Sequence, residues 1–240
     1  MTPGQVPLRD AFATPDNKKH YVRRLFSTIA DRYDFITVVL SYGMDRRWKR
    51  RVAEIAVPKA GARALDLACG TGDIARQLTL RDASVVGLDV THRMLQLARQ
   101  KTQSIAYVCG DMAALPFEDA RFDAVSTGYG LRNVADLSLA LREIHRVLRP
   151  GGLVVSLDFN RPENPVVRAA YLAYLTLVGS VLGWLLHRDP DTYRYIPASI
   201  RRYPGAAGVT SLMRAEGFVD ARWTAVLGGL MAIHVARKMD

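Results

Sequence analysis

The sequence predicts an α/β domain. Its mostly parallel, seven-stranded sheet carries helices on both faces and ends in an antiparallel hairpin. Three observations lead there. Short apolar runs alternate with helical patterns between Arg63 and Leu157, the arrangement of right-handed β–α–β crossovers. The first run feeds straight into a glycine turn, Cys69-Gly-Thr-Gly-Asp73. Two more strand patterns flank Gly228-Gly229 and read as a hairpin. A dinucleotide-binding sheet would have six strands and no such hairpin.

Composition narrows the class. At 240 residues the chain has room for one α/β domain with additions. It is 49% hydrophobic, which excludes disorder. The net charge of +10 suits an anionic membrane surface, an acidic substrate or nucleic acid. Two cysteines, Cys69 and Cys109, offer no disulfide framework and no metal cluster. The N-terminus has no signal-peptide core, so the expected place is the cytoplasm, at most peripheral at the inner face of the membrane.

Residues 1–17 hold three prolines and little periodicity and are expected to form a flexible arm. One domain then fills residues 18–240. Val22, Leu25, Phe26, Ile29 and Tyr33 recur at helical spacing and open a helical cover, 18–62. Within it the basic run Arg46–Arg51 is either a solvated helix face or a contact with membrane or substrate. The core, 63–160, begins with strand Ala64–Leu67. Asp73 is expected to cap the helix after the glycine turn. Strand Ala83–Leu88 ends in Asp89, and strand Ile105–Cys109 leads into Gly110-Asp111-Met112. Strand Phe122–Thr127 runs into Gly128-Tyr-Gly-Leu-Arg-Asn133, and strand Leu153–Val155 continues to Leu157. The loops after the first four strands lie at the carboxyl edge, where such sheets bind ligands. Residues 161–205 form a substrate-side helical insertion. Asn164-Pro165 starts its long helix, in which Ala169 to Leu186 carries no charge. That length reaches the lower limit of a membrane span. Spanning would tear the last two strands from their sheet, so the helix is expected to be buried, to line an apolar substrate pocket or to lie at a membrane interface. Residues 206–240 supply the last helix and the hairpin.

The glycine turn admits two ligands. Gly70-Thr-Gly72-Asp-Ile-Ala75 satisfies the dinucleotide fingerprint, and Asp89, 17 residues beyond Gly72, could accept from a ribose. Asp66 and Asp73, however, flank the turn. Carboxylates there would repel a pyrophosphate and suit the sulfonium and ammonium of S-adenosylmethionine (SAM).

Several motifs sharpen the reading: Phe26-Ser-Thr-Ile-Ala-Asp-Arg-Tyr-Asp34, Leu40-Ser-Tyr-Gly43 with Trp48, Asp66 to Asp73, Gly110-Asp111 with Leu115-Pro-Phe, Gly130-Leu-Arg-Asn-Val134, and Tyr193-Arg-Tyr with Ser199-Ile200. Through these, from Lys19 to Lys238, the chain resembles the ubiquinone/menaquinone-biosynthesis C-methyltransferases, SAM-dependent enzymes of Rossmann-like class I fold. It departs from them at Thr37, Gly128 and Asp158, where the family has Asn, Ser and Glu. The resemblance implies that Thr71 and the Gly70–Gly72 backbone hold the methionine end of SAM and that Asp66 belongs to the same motif. It implies that Asp89 binds the ribose, that Asp111 and Met112 hold the adenine, that Gly128 approaches SAM, and that Tyr33 closes over it. It also implies a polyprenylated hydroquinone substrate, of the menaquinone or ubiquinone series, and peripheral contact with a membrane.

An aromatic carbon attacks a methyl group well only once a neighbouring ring hydroxyl has lost its proton. Arg132 and Asn133, just after the fourth strand, are the expected catalytic pair. Arg132 would stabilise the phenolate and Asn133 would orient the ring oxygen. The competing reading is that the pair only pins the following helix. Arginine stays protonated and is no base. His234 is expected to be a packed strand residue, and the other histidines lack paired ligands, so no metal is expected. The alternatives are methylation of another small apolar molecule or of RNA. Neither an Asn-Pro-Pro-Tyr motif nor a Pro-Cys nucleophile occurs, so nucleic acid is not the expected partner. A homo-oligomer stays open.

Overall fold

The computed structural model describes residues 7–239. Its seven strands are β1 (Arg63–Leu67), β2 (Ser84–Asp89), β3 (Ala106–Cys109), β4 (Phe122–Gly128), β5 (Leu148–Phe159), β6 (Phe218–Val226) and β7 (Met231–Lys238). They lie in the order β3-β2-β1-β4-β5-β7-β6. Strands β1 to β5 pair in parallel, and β7 runs antiparallel between β5 and β6. The chain reverses between β1 and β4, so the loops after those strands part to either side and leave a crevice at the carboxyl edge.

Period-two alternation assigns the two faces. Ala64, Val85, Ala124 and Val155 point into one core, under α3 (Asp45–Ala56), α4 (Asp73–Thr79), α5 (His92–Lys101) and the inner side of α7 (Pro165–His187). Leu65, Leu67, Val125 and Val154 point into the other, under α6 (Leu137–Val147) and α9 (Gly205–Ala215). Caps set the helix starts: Asp136 accepts from the Leu139 N–H, and Asn164 from those of Val166 and Val167.

The cover comprises α1 (Pro15–Ile29), α2 (Tyr33–Leu40) and α3, with α8 (Tyr195–Arg202) packed below. Helix α1 starts at Pro15, three residues before the expected Lys18. The Thr14 hydroxyl accepts from the Asn17 N–H and proline occupies the first helical position, a start signal inside the supposed arm. Residues 7–14 also pack: Ala11 is buried, the Phe12 ring stacks on Tyr195 at 5.6 Å, and Arg202 lies over it at 4.2 Å. The arm's residues 1–6 lie outside the described residues. Asp73 does not cap α4, because the cap position falls on Gly72, whose φ of 83° places it in the left-handed region.

Candidate active site

Two strand-to-loop junctions build the site in strained backbone. After β1, Ala68 turns left-handed at φ 49° and Gly70 at 54°; after β4, Tyr129 does so at 60°. Left-handed alanine and tyrosine each cost about 1–2 kcal/mol, so the surrounding packing must impose them. Between these loops lies a cavity of about 370 Å³. Its walls include Tyr33, Gly70, Asp89, Asp111, Met112, Gly128 and Asn133, seven of the eleven residues the sequence nominated. Leu88, Met94 and Val134 supply apolar parts of the wall. Helix α1 supplies Lys19, His20, Arg23 and Phe26, a contribution the sequence reading missed.

Asp89 forms the floor. One carboxylate oxygen accepts from the Gly70 N–H at 2.9 Å and the other from the Thr91 N–H at 2.7 Å. Burial raises its pKa, and these backbone donors oppose that. An ionised carboxylate has about four lone pairs, so two remain for a diol. Asp111 accepts from the Ala113 N–H and pairs with Lys19 at 3.0 Å.

The remaining four nominated residues sit elsewhere. Asp66 is buried behind the turn, where it accepts from the Ser126 hydroxyl at 2.7 Å and the Ala75 N–H at 3.0 Å. Burial pushes its pKa up to about 7 against those bonds. It braces β1, β4 and α4 and borders only a small side cavity with Lys49 and Thr71. The Thr71 hydroxyl donates to Asp34 of α2 at 2.6 Å, tying the cover to the turn. Gly72 lines neither of these two cavities; it packs on β3, where an added Cβ would stand 2.6 Å from the Tyr107 hydroxyl.

Asp73 is not a bare charge either. Lys49 at 2.9 Å and Lys101 at 3.3 Å neutralise it, and they hold its pKa down although burial alone would raise it. The two carboxylates flanking the turn are therefore not free charges, and the acidic side chains lining the large cavity are Asp16, Asp89 and Asp111.

Arg132 faces a second cavity of about 50 Å³, walled by Phe26, Ile36, Leu40, Phe159, Tyr193, Tyr195 and Met231. Its guanidinium pairs with buried Asp158 at 3.1 Å and donates to the Ser199 hydroxyl at 2.8 Å and the Asn133 side-chain Oδ1 at 3.2 Å. It also lies 4.9 Å over the Phe159 ring. Asn133 donates to the Tyr129 carbonyl and lines the large cavity, so the pair spans the wall between the two spaces. Phe26, Tyr33 and Tyr129 line both cavities. Burial pushes the Tyr33 pKa up to about 12 and keeps its hydroxyl protonated. The Tyr195 hydroxyl is buried without a hydrogen-bond partner among the described residues.

A cluster under Tyr129 also escaped the sequence. Tyr129 donates to Asp45 at 2.6 Å, and buried Lys49 bridges Asp45 and Asp73. Burial would lower the Lys49 pKa, but the two aspartates outweigh it and hold the ammonium charged. Lys49 sits in the basic run, and only its place beside Trp48 on the buried side of α3 separates it from exposed Arg46, Arg47, Arg50 and Arg51. Gly128, where the resemblance has serine, leaves room for Ile74, whose Cδ1 would lie 2.6 Å from an added Cβ. His234 is packed as expected: Nε2 donates to the Ala206 carbonyl, Nδ1 accepts from Ser156, and burial pulls its pKa down to about 4.

The sequence pattern of the ubiE/COQ5 methyltransferase family matches residues 14–238. The chain belongs to this family. It is a SAM-dependent methyltransferase. Family relatives include a demethylmenaquinone methyltransferase of Thermus thermophilus, 42% identical over 89% of this chain and 100% of its own. Another, of Roseiflexus sp. (strain RS-1), is 38% identical over 93% and 96%. The fold is that of a SAM-dependent methyltransferase of Thermotoga maritima, with a TM-score of 0.67 at 17% identity over 90% of this chain and 99% of that one. Phosphoethanolamine N-methyltransferase 2 of Haemonchus contortus, solved with SAM, shares it at a TM-score of 0.63 and 16% identity, over 100% and 62%.

Proposed function

We propose that this protein methylates a ring carbon of a polyprenylated hydroquinone, with demethylmenaquinol as the substrate to which its relatives' name points. One observation carries the reading: an apolar cavity holding a single buried guanidinium adjoins the large ligand cavity across a shared wall of Phe26, Tyr33 and Tyr129. A flat aromatic ring with one developing negative oxygen suits that combination.

The large cavity fits SAM in its donor set. Asp89 offers two unused lone pairs for the ribose hydroxyls, while Asp111 and the Met112 backbone border the space assigned to the adenine. Gly70 brings backbone to the methionine end, and Gly128 gives close approach. Thr71, Gly72 and Asp66 act from behind the turn and hold its shape. When bound, SAM supplies an electrophilic methyl group on a sulfonium.

The chain's own side chains do the rest. Arg132 stabilises the phenolate with a charge that water does not screen. Asp158, Ser199 and Phe159 fix the guanidinium plane, so it needs little reorganisation as charge develops. Tyr195 can donate to the second ring oxygen. Tyr33 separates the cavities and keeps water out.

The tail of such a substrate is insoluble in water, so the reading includes work in the cytoplasm with peripheral contact at the membrane. The test is methyl transfer from SAM to short-tailed demethylmenaquinone, reduced and oxidised. The reduced form should be methylated and the oxidised form should not, having no phenol to ionise. Transfer to RNA but to no hydroquinone would overturn the reading.

A further inference from the structure

Two helices present apolar stripes to the outside. Along α2, Phe35, Val38 and Val39 are exposed, and Tyr42 in the turn after it is 61% exposed. Along α7, Leu177, Val181, Trp184 and Leu185 are exposed, between 49% and 68%. No charged residue interrupts either stripe. The Tyr42 and Tyr174 rings stack at 6.2 Å and join the stripes into one surface. Eight large apolar side chains on two helices and the turn after one of them exceed the scattered exposure of an ordinary surface.

α7 is long and apolar enough to cross a membrane, but its inner side is held. Tyr171, Leu172, Leu175, Gly179 and Gly183 are buried. A Cβ at Gly183 would run into the Asp189 carbonyl, and one at Gly179 would lie 3.2 Å from Tyr193, so the segment after the helix packs closely on it. The helix is therefore anchored in the domain core through Tyr171, Leu172 and Leu175, which spanning would pull out of it.

From these contacts we infer that the joined outer faces of α2 and α7 dock the protein on an anionic lipid bilayer. Charge selects the bilayer over a second copy. Two chains of net charge +10 repel each other, whereas anionic headgroups attract them. Exposed Arg32 precedes α2, Arg46 and Arg47 follow Tyr42, and Arg188 follows α7. The neighbouring acids are Asp31, Asp34, Asp189 and Asp191, of which Asp31 is paired with Arg93, Asp34 with Lys101 and Asp191 with Arg194.

Position selects the purpose. The inner side of α2, through Ile36, Thr37 and Leu40, walls the Arg132 cavity. A ring could enter that cavity while its tail stays in the lipid one helix thickness away. This purpose rests on the hydroquinone reading; the docking surface does not.

Vesicles of phosphatidylcholine, with and without phosphatidylglycerol, test the surface by co-sedimentation with the full chain. Binding should need phosphatidylglycerol and should fall about tenfold or more in V181D/L185D and in F35D. Trp184 emission should shift to the blue on binding and be quenched by brominated lipid, and W184F should lose that signal. Methylation of a short-tailed hydroquinone in buffer should be unchanged in these variants, while that of a long-tailed one in vesicles should fall. Unchanged vesicle binding in both variants would overturn the inference. So would a dimer that the substitutions dissociate, with no vesicle binding by the wild type. Vesicle binding without methylation of either hydroquinone would leave the docking face standing and remove the substrate reading.

Discussion

Replacing Arg132 by alanine perturbs two things at once, and the structure separates them. The first is stability. Asp158 is 1% exposed and loses its counter-charge. Breaking a buried ion pair from one side costs about 3–5 kcal/mol. Asp158 keeps its two backbone donors, the N–H groups of Phe159 and of residue 132, so the lower end is expected. The second is rate. Losing one preorganised donor to a developing oxyanion costs about 2.7–4 kcal/mol, a hundred- to a thousandfold.

The variant R132A/D158N removes the orphaned charge as well. It should regain most of the lost stability in urea denaturation. Its single-turnover rate, measured at saturating SAM with reduced hydroquinone, should stay at the level of R132A. R132K should recover little of that rate, because one ammonium cannot serve Asp158, Ser199 and Asn133 as the planar fork does. SAM affinity should move little in all three, since Arg132 lies outside the large cavity. If rate recovers together with stability in the double variant, Arg132 holds the fold and nothing more.

Asp89→Ala should weaken SAM binding by about 1.5–3 kcal/mol in calorimetry, the scale of charge-assisted hydrogen bonds, and an unchanged affinity would remove the ribose assignment. Gly72→Ala should destabilise the fold by about 2–4 kcal/mol, from a left-handed φ and the 2.6 Å approach to the Tyr107 hydroxyl. Adding Tyr107→Phe should recover the clash but not the backbone cost; no recovery in chemical denaturation would show that the hydroxyl is not the obstacle. His234 stays neutral in the fold down to about pH 4 but takes a proton near 6.5 when unfolded. Its contribution is therefore complete above pH 6.5 and is lost as the pH falls towards 4, about 3 kcal/mol in all. His234→Gln should melt with a flatter pH dependence across that window than the wild type, and parallel curves would refute the shift.

What the sequence determined by itself is whatever depends on neighbours along the chain. Alternating apolar periods located the strands and most of the helices, and the β–α–β rule with the closing hairpin implied the seven-stranded sheet. Local spacing also put Gly70, Asp89, Asp111 and Arg132 at the carboxyl edge. Tertiary structure alone decided which charges meet. Asp66 and Asp73 look alike in sequence, yet one is buried against Ser126, 60 residues away, and the other pairs with Lys49 and Lys101. Lys49 looks like its arginine neighbours but turns inward to Asp45. Helix α1 walls the ligand cavity, and Arg132 and Asn133 face different cavities. The physical reason is range. Periodicity states which side of an element is apolar, a property of adjacent residues. Whether a carboxylate is a free ligand or a neutralised brace depends on groups tens of residues distant, brought within 3 Å only when the sheet has closed.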